Sequence, residues 1–272
     1  MKFKIICDSS CDLNSDYLKE EFNDDSVELG IVPFIVAIEG DEYIDGTCNE
    51  GIILECDSKK STRSSCPAPG ACLNECTAEY NFIITISSKL SGSYNSALSI
   101  VDECDKKIFV IDSKGTGGIE QLLVDKLYEL IKEGNDFETI KKKIIQYRDK
   151  RELYFSLSSF DNLVKKGRIK ASLAAILKSL KLSFLCMAND GEISLHKKCV
   201  SFRQSLIHIA ILVKNKRMQM KKCIITYTDN YEDALFLKEK LEKSIIFEKI
   251  VLVKARLLNS FYILKKGIIV SY

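Results

Sequence analysis

Histidine is scarce in this 272-residue chain, which holds only His196 and His208. That scarcity bears on two kinds of chemistry. A zinc cluster has few nitrogen ligands to draw on, and a serine triad has few bases. Neither histidine falls at the end of a predicted parallel strand: His196 stands near the end of a hairpin and His208 inside a helical pattern. Net charge is nearly missing too, since 40 basic and 38 acidic residues leave +2. That balance argues against a broad nucleic-acid-binding face. No apolar run approaches the roughly 18 residues of a membrane-spanning helix. The N-terminal MKFKIICDSSCD has one short apolar stretch ending in acids and hydroxyls, which reads as a first strand and not as a secretion signal. The expected compartment is the cytoplasm, with no membrane span.

Nucleotide-binding signatures are missing as well. There is no GxGxxG after the first strand and no GxxxxGK followed by Ser or Thr. KGTGG at 114–118 has neither spacing and reads as the start of a helix. The eleven cysteines include no CxxC pair, and Cys66-x5-Cys72-x3-Cys76 suits no common metal motif. They read as small, half-buried residues kept reduced. The acid pairs Asp8 with Asp12 and Asp41 with Asp45 have no third ligand nearby and read as turn caps. No metal and no cofactor is expected.

What is present is alternation. Strand runs at Lys4–Cys7, Leu29–Ile38, Phe82–Ile86 and Ile108–Ile111 alternate with helical patterns at Asn14–Phe22, Gly70–Tyr80, Gly117–Lys132 and Asp136–Lys150. Pro33 interrupts the second strand, marking an edge or a bend. This order implies βαβ units and a mainly parallel sheet flanked by helices. Beyond the charged run IKKKIIQYRDKRE the character changes. A strand at Leu153–Leu157 leads to two helical patterns separated by Gly167-Arg168. Next comes an Asn-Asp-Gly turn within LSFLCMANDGEISLHKK, a strong hairpin signal. The reading is an α/β protein of two domains, 1–151 with the parallel sheet and 152–272 with a mixed sheet.

Three hydroxyl-rich turns lie at or beside strand ends in the first domain: Asp8-Ser9-Ser10, Ser64-Ser65 and Ser91-Gly92-Ser93. Ligands of doubly wound sheets bind outside the carboxyl ends of the strands, where distant loops converge. A helix N-terminus there offers free amides to an anion. One serine before a helix is only a cap. Three such turns, with Gly92 permitting close backbone approach, indicate an anion site. In the second domain Arg168 is either part of a solvated KKGRIK run or a cation facing an interdomain cleft. Ala171–Leu185 is either a buried helix or the lining of an apolar tunnel.

The blocks ICDSSCDL (6–13), VPFIVAIEGDEYIDG (32–46), SSCPAP (64–69), ITISSKLSGSYNSA (84–97), IDS (111–113), LVKKGRI (163–169) and GIIVSY (267–272) occur in order. Together they resemble the DegV family of fatty-acid-binding proteins. The resemblance implies a two-domain α/β fold that encloses one long-chain fatty acid and presents it to a fatty-acid kinase, without itself transferring the phosphoryl group. It implies that Ser91, Gly92 and Ser93, with Ser64, bind the carboxylate, and that Arg168 matches the family's arginine. Relatives often carry threonine in place of Ser64. Where some place a histidine near the C-terminus, Asn259 or Ser260 would substitute. An arginine of the second domain is replaced around Val200-Ser201, leaving Arg203 nearest. The alternatives are a serine-dependent hydrolase and a binder of another small carboxylate or phosphate.

Overall fold

The computed structural model describes residues 2–47, 51–54, 61–177, 182–216, 220–243 and 247–272. The chain divides into two compact units, Met1–Cys48 with Lys60–Arg151, and Asn49–Lys59 with Glu152–Tyr272.

In the first unit the chain runs β1 (Phe3–Asp8), a single 3-10 turn (Ser9–Cys11), α1 (Tyr17–Phe22), β2 (Glu28–Val32), β3 (Ile35–Ile38) and β4 (Asp41–Ile44). The short α2 (Gly51–Leu54) belongs with the second unit. The first unit resumes with β5 (Thr62–Ser65), α3 (Pro69–Glu75), β6 (Tyr80–Thr85), α4 (Ser93–Leu98), β7 (Lys107–Asp112), α5 (Gly118–Lys132) and α6 (Phe137–Arg148). Strands β2, β1, β6 and β7 pair in that order, all parallel. Every residue of β1 is buried, as a strand covered on both faces requires. One face packs Ile6, Ile83 and Val110 against Cys72 and Cys76 around α3 and Ala97 of α4. On the other, Phe137 at the start of α6 lies 5.0 Å, ring to ring, from Phe82.

Pro33 does more than bend one strand. Residues 29–38, expected as a single strand, form β2 in the parallel sheet and β3 in a separate antiparallel sheet of order β4-β3-β5. Proline has no amide proton for a ladder, and the next amide, that of Phe34, donates to Ser9 Oγ at 2.9 Å instead of to a strand. The expected Ser64-Ser65 turn lies inside β5, where Ser64 pairs with Val36 and Ser65 with Ile35. The helix expected at Gly70–Tyr80 starts at Pro69 and stops at Glu75, and Tyr80 opens β6.

The second unit continues with β8 (Leu153–Leu157), α7 (Asp161–Lys165), α8 (Ala171–Leu177), β9 (Ser183–Asn189), β10 (Glu192–Cys199), α9 (Phe202–Lys214), β11 (Met220–Thr228), α10 (Tyr231–Glu242), β12 (Phe247–Lys254), α11 (Leu257–Ile263) and β13 (Gly267–Ser271). Its six strands are ordered β10-β9-β8-β13-β11-β12. Only β11 and β12 run parallel; the remaining pairs are antiparallel. The sheet is therefore mixed. Asp190 and Gly191, at φ 49° and 83°, close the β9–β10 hairpin with both central residues left-handed, the turn that matches strand twist. Tyr154, Leu185, Cys223, Ile225, Ile268 and Val270 face a core shared with Leu206 and Ile209 of α9 and Leu237 of α10. The apolar run 171–185 is not one helix. It is α8, burying Leu173, Ala174 and Leu177 while Ile176 is exposed, followed by the start of β9, and 178–181 lie outside the described residues. Among the described residues no helix is long and apolar enough to cross a membrane.

Candidate functional site

In the parallel sheet β1 sits between β2 and β6, so chain order reverses between β1 and β6. Such a switch point opens a crevice beyond the carboxyl ends of the two strands. Asp8 ends β1 there and is 3% exposed. Its Oδ1 accepts from Ser10 N (3.2 Å) and Ser10 Oγ (2.6 Å). Its Oδ2 accepts from the amide of Ile86 just past β6 (3.0 Å) and from Ser93 Oγ at the start of α4 (2.6 Å). One side chain thus ties together the ends of two strands and the start of a helix. Burial pushes its pKa above the ordinary aspartate value, and the hydrogen bonds from Ser10, Ser93 and Ile86 offset part of that rise.

A second carboxyl stands behind the first. Glu120, in the first turn of α5, is fully buried. Its Oε1 lies 2.5 Å from Ser10 Oγ, and its Oε2 is buried without a hydrogen-bond partner among the described residues. Burial, reinforced by the Asp8 charge, pushes Glu120 well above the usual carboxylate range. Nothing in the residue order marks this position. A glutamate after KGTGG reads as an ordinary acid favoured by the helix dipole, and only the burial of Ile119, Glu120, Gln121, Leu122 and Leu123 in succession reveals its setting.

The expected hydroxyl donors divide into two groups. Ser9, Ser10 and Ser93 are committed inward: Ser9 Oγ donates to Asp45 Oδ2 at 2.7 Å, and Ser10 and Ser93 engage Asp8. Asp45 therefore works with Ser9, not with Asp41. Ser91 is different. It is half-buried, and its Oγ accepts from Ser93 N at 3.2 Å, which orients the oxygen and leaves its own proton to donate outward. Gly92 is exposed, and its amide takes no partner among the described residues. Its φ of −75° suits any residue, and an added Cβ would meet only Cys66 Sγ, at 3.6 Å. The glycine is thus not required by the protein's own backbone or packing. Helix α4 has only six residues, so the amides and hydroxyl of the turn, more than a helix dipole, are what the site offers an anion.

The structure also brings the 64–69 segment to this turn. Cys66 neighbours Gly92, and Ser96 Oγ donates to the Pro67 carbonyl at 2.7 Å. Ser64, half-buried on β5, lies two residues before Cys66. The nine described cysteines are all free thiols, buried except for the exposed Cys66 and half-buried Cys104. Burial pushes Cys72 and Cys186 up to about 12, where a thiol is inert. Among the described residues no group of His, Cys, Asp and Glu could hold a metal ion.

The remaining predicted residues belong to the second unit. Arg168 does not open a helix; it lies in the turn between α7 and α8. Its Nη1 donates to the Lys166 carbonyl at 2.5 Å, and its guanidinium lies 5.7 Å from the Tyr262 ring centre. Ser260 is buried in α11, a helix that the sequence reading missed, and its hydroxyl donates to the Ala255 carbonyl at 3.2 Å. Exposed Arg203 pairs with Asp233 at 2.9 Å. His196 sits at the irregularity of β10 between Leu195 and Lys197, and His208 on α9. The first unit contains no histidine, so Ser91 and Ser93 have an aspartate beside them but no imidazole in that unit.

Comparison with known proteins follows the same lines. A DegV domain-containing protein of Streptococcus pyogenes serotype M1 is 30% identical to the chain, covering 100% of it and 99% of the relative. Among solved structures, a Eubacterium eligens DegV family protein loaded with heptadecanoic acid aligns with TM-score 0.88 at 26% identity, over 99% of this chain and 98% of that one. The Streptococcus pneumoniae Fatty Acid Kinase (Fak) B3 protein loaded with linoleic acid aligns with TM-score 0.89 at 27% identity, over 100% and 99%. A family model described as "Uncharacterised protein, DegV family" matches residues 2–257. The α/β fold, its parallel and mixed sheets and this match over nearly the whole sequence agree: the chain belongs to the DegV family.

Proposed function

We propose that the protein binds one long-chain fatty acid, holds its carboxylate with hydroxyl and amide donors of the first unit, and presents it to a fatty-acid kinase without carrying out the transfer itself. The observation that carries this reading is the near-complete structural match to DegV proteins loaded with fatty acids. The donor geometry supports it. Ser91 Oγ has a proton to give, Gly92 N–H is open, and Ser64 stands on the adjoining segment. Ser93 acts from behind, holding Ser91 through its amide and Asp8 through its hydroxyl. Ser260, already bonded to Ala255, is left out of the ligand set.

A carboxylate removed from water must be met by hydrogen bonds. Each acyl CH₂ removed from water contributes about 0.8 kcal/mol. A chain of about sixteen carbons then gains on the order of 10 kcal/mol before ordering is subtracted. For presentation to a kinase, Arg168 is the cation proposed to meet a nucleotide phosphate or an acidic partner surface, since guanidinium suits bidentate contact with either.

The direct test is mass spectrometry of small molecules extracted from the purified, denatured protein. A long-chain fatty acid in stoichiometric amount is expected. Absence of any acyl species, together with no rise in melting temperature on adding fatty acid, overturns the reading. Ser91→Ala should weaken binding by roughly 1–2 kcal/mol, the usual loss for a hydrogen bond to a charged group. Arg168→Ala should leave binding intact and reduce acyl-phosphate formation with the cognate kinase.

A further inference from the structure

The Ser10 hydroxyl has one proton, yet two carboxyl oxygens lie within hydrogen-bond reach of it: Asp8 Oδ1 at 2.6 Å and Glu120 Oε1 at 2.5 Å. It can donate to only one of them. The other contact needs a proton of its own, and the environment of each carboxyl says where that proton sits. Asp8 accepts from two amides and two hydroxyls, the pattern of a charged carboxylate. Glu120 touches a single hydroxyl, and its second oxygen is buried and bare, a setting in which a charge is very costly. We propose that Glu120 is a neutral carboxylic acid that donates to Ser10 Oγ, which donates in turn to Asp8, so that this relay holds one negative charge behind the serine turn and acts as its positioning element.

The proton count closes. The Glu120 O–H bonds to Ser10 Oγ, and the Ser10 O–H bonds to Asp8. Asp8, ionised, takes the Ser93 O–H, and Ser93 N–H goes to Ser91 Oγ. The donors thus converge on Asp8 from two sides: the Glu120–Ser10 arm is strengthened by the Asp8 charge, and Ser93, which holds Asp8 through its hydroxyl, fixes the half-exposed Ser91 through its amide. The titratable groups acting on Glu120 are Asp8 and Cys7 from β1 and Cys11 and Asp12 from the turn after it. All four are acids, so none offers a cation to stabilise an ionised Glu120. Ionisation would raise the relay from one negative charge to two and remove the donor to Ser10. Both changes disfavour a carboxylate ligand at Ser91, so alkaline pH should weaken binding through Glu120.

This inference rests on the proposed ligand for one of its two tests only. The first test needs no ligand. An infrared difference spectrum of wild type against Glu120→Gln at neutral pH should show a protonated carboxylic acid in wild type that the variant lacks. Its absence overturns the proposal whatever the protein binds. The second test measures hexadecanoic acid affinity against pH. Glu120→Ala should bind about ten-fold more weakly, an effect worth roughly 1.4 kcal/mol. Glu120→Gln, which keeps a neutral donor toward Ser10, should restore the affinity and lose the alkaline decline seen in wild type. Parallel pH profiles for wild type and Glu120→Gln overturn the relay, and so does a Glu120→Gln protein as weak as Glu120→Ala. If Glu120→Ala does not fold, the comparison of wild type with Glu120→Gln still decides. Failure of all variants and of wild type to bind the acid would count against the proposed function, while the infrared band would still judge the relay.

Discussion

Buried hydroxyls meet carboxylates in one unit and uncharged oxygens, or nothing, in the other. At the strand ends of the first, Ser9, Ser10 and Ser93 are each paired with a carboxylate at 2.6–2.7 Å. In the second, Ser156, Ser205 and Ser260 bond to carbonyl or hydroxyl oxygens, and Thr226, Thr228 and Ser271 are buried with hydroxyls that have no partner among the described residues. Thr226 and Thr228 stand two apart on β11, and Ser271 lies opposite Ile224, so all three share one face of the mixed sheet. Polar groups at the switch point are thus organised into a scaffold that fixes positions. The three bare hydroxyls of the second sheet engage no charge and fix nothing. The contrast teaches that a buried hydroxyl fixes a position only where a strong acceptor meets it.

Breaking the scaffold should have the largest effect. Asp8→Ala leaves the Ser93 hydroxyl and the Ile86 amide unpaired and removes the relay's end, and should destabilise the protein by about 3–5 kcal/mol in urea unfolding. A loss below about 1 kcal/mol would mean that other acceptors take its place. Ser93→Ala should destabilise by about 2 kcal/mol, since Asp8 then loses one charge-assisted bond. Thr226→Val sharpens the comparison by its sign. It keeps the shape and removes an unpaired buried hydroxyl, so melting should rise, corresponding to about 1 kcal/mol of added stability; a fall would show that the hydroxyl is satisfied. The smallest effect belongs to a partly exposed pair. Lys216 donates to Glu152, and Lys216→Ala should change neutral stability by less than about 1 kcal/mol. Burial pushes Glu152 up, but the Lys216 and Tyr272 contacts outweigh it and hold the group below its usual range. The stability this contributes is full above the unfolded carboxyl value near ~4.3 and is lost as pH falls through the lowered folded one. The variant should therefore show a smaller acid loss than wild type.

Much of this was legible in the residue order. Apolar runs closed by hydroxyl turns announced parallel strands, and Asn189-Asp190-Gly191 announced its hairpin, because both signals are local. The Ser91-Gly92 turn could be placed between β6 and α4 because a hydroxyl-glycine turn after a buried apolar run is a local signal. The break at Pro33 was visible, but its consequence, two sheets in place of one bent strand, depends on Phe34 finding Ser9 across the fold. Helix α11 was missed because Leu257–Ile263 is buried along nearly its whole length and so lacks an amphipathic stripe. Glu120 was beyond reach for a related reason. Its partner Ser10 is 110 positions away, and nothing in a sequence marks a glutamate as buried.

At Gly115 and Gly267 a Cβ would press on Ile119 and Ile263 at 2.8 Å, so those glycines are held by the fold itself. Among the described residues nothing requires a glycine at position 92. A side chain introduced there would leave the folded chain undisturbed and change only the space presented to whatever approaches the serine turn. What the turn admits can therefore drift at this position independently of stability. A lineage can retune what it accepts through one codon while the hidden relay behind it stays as it is.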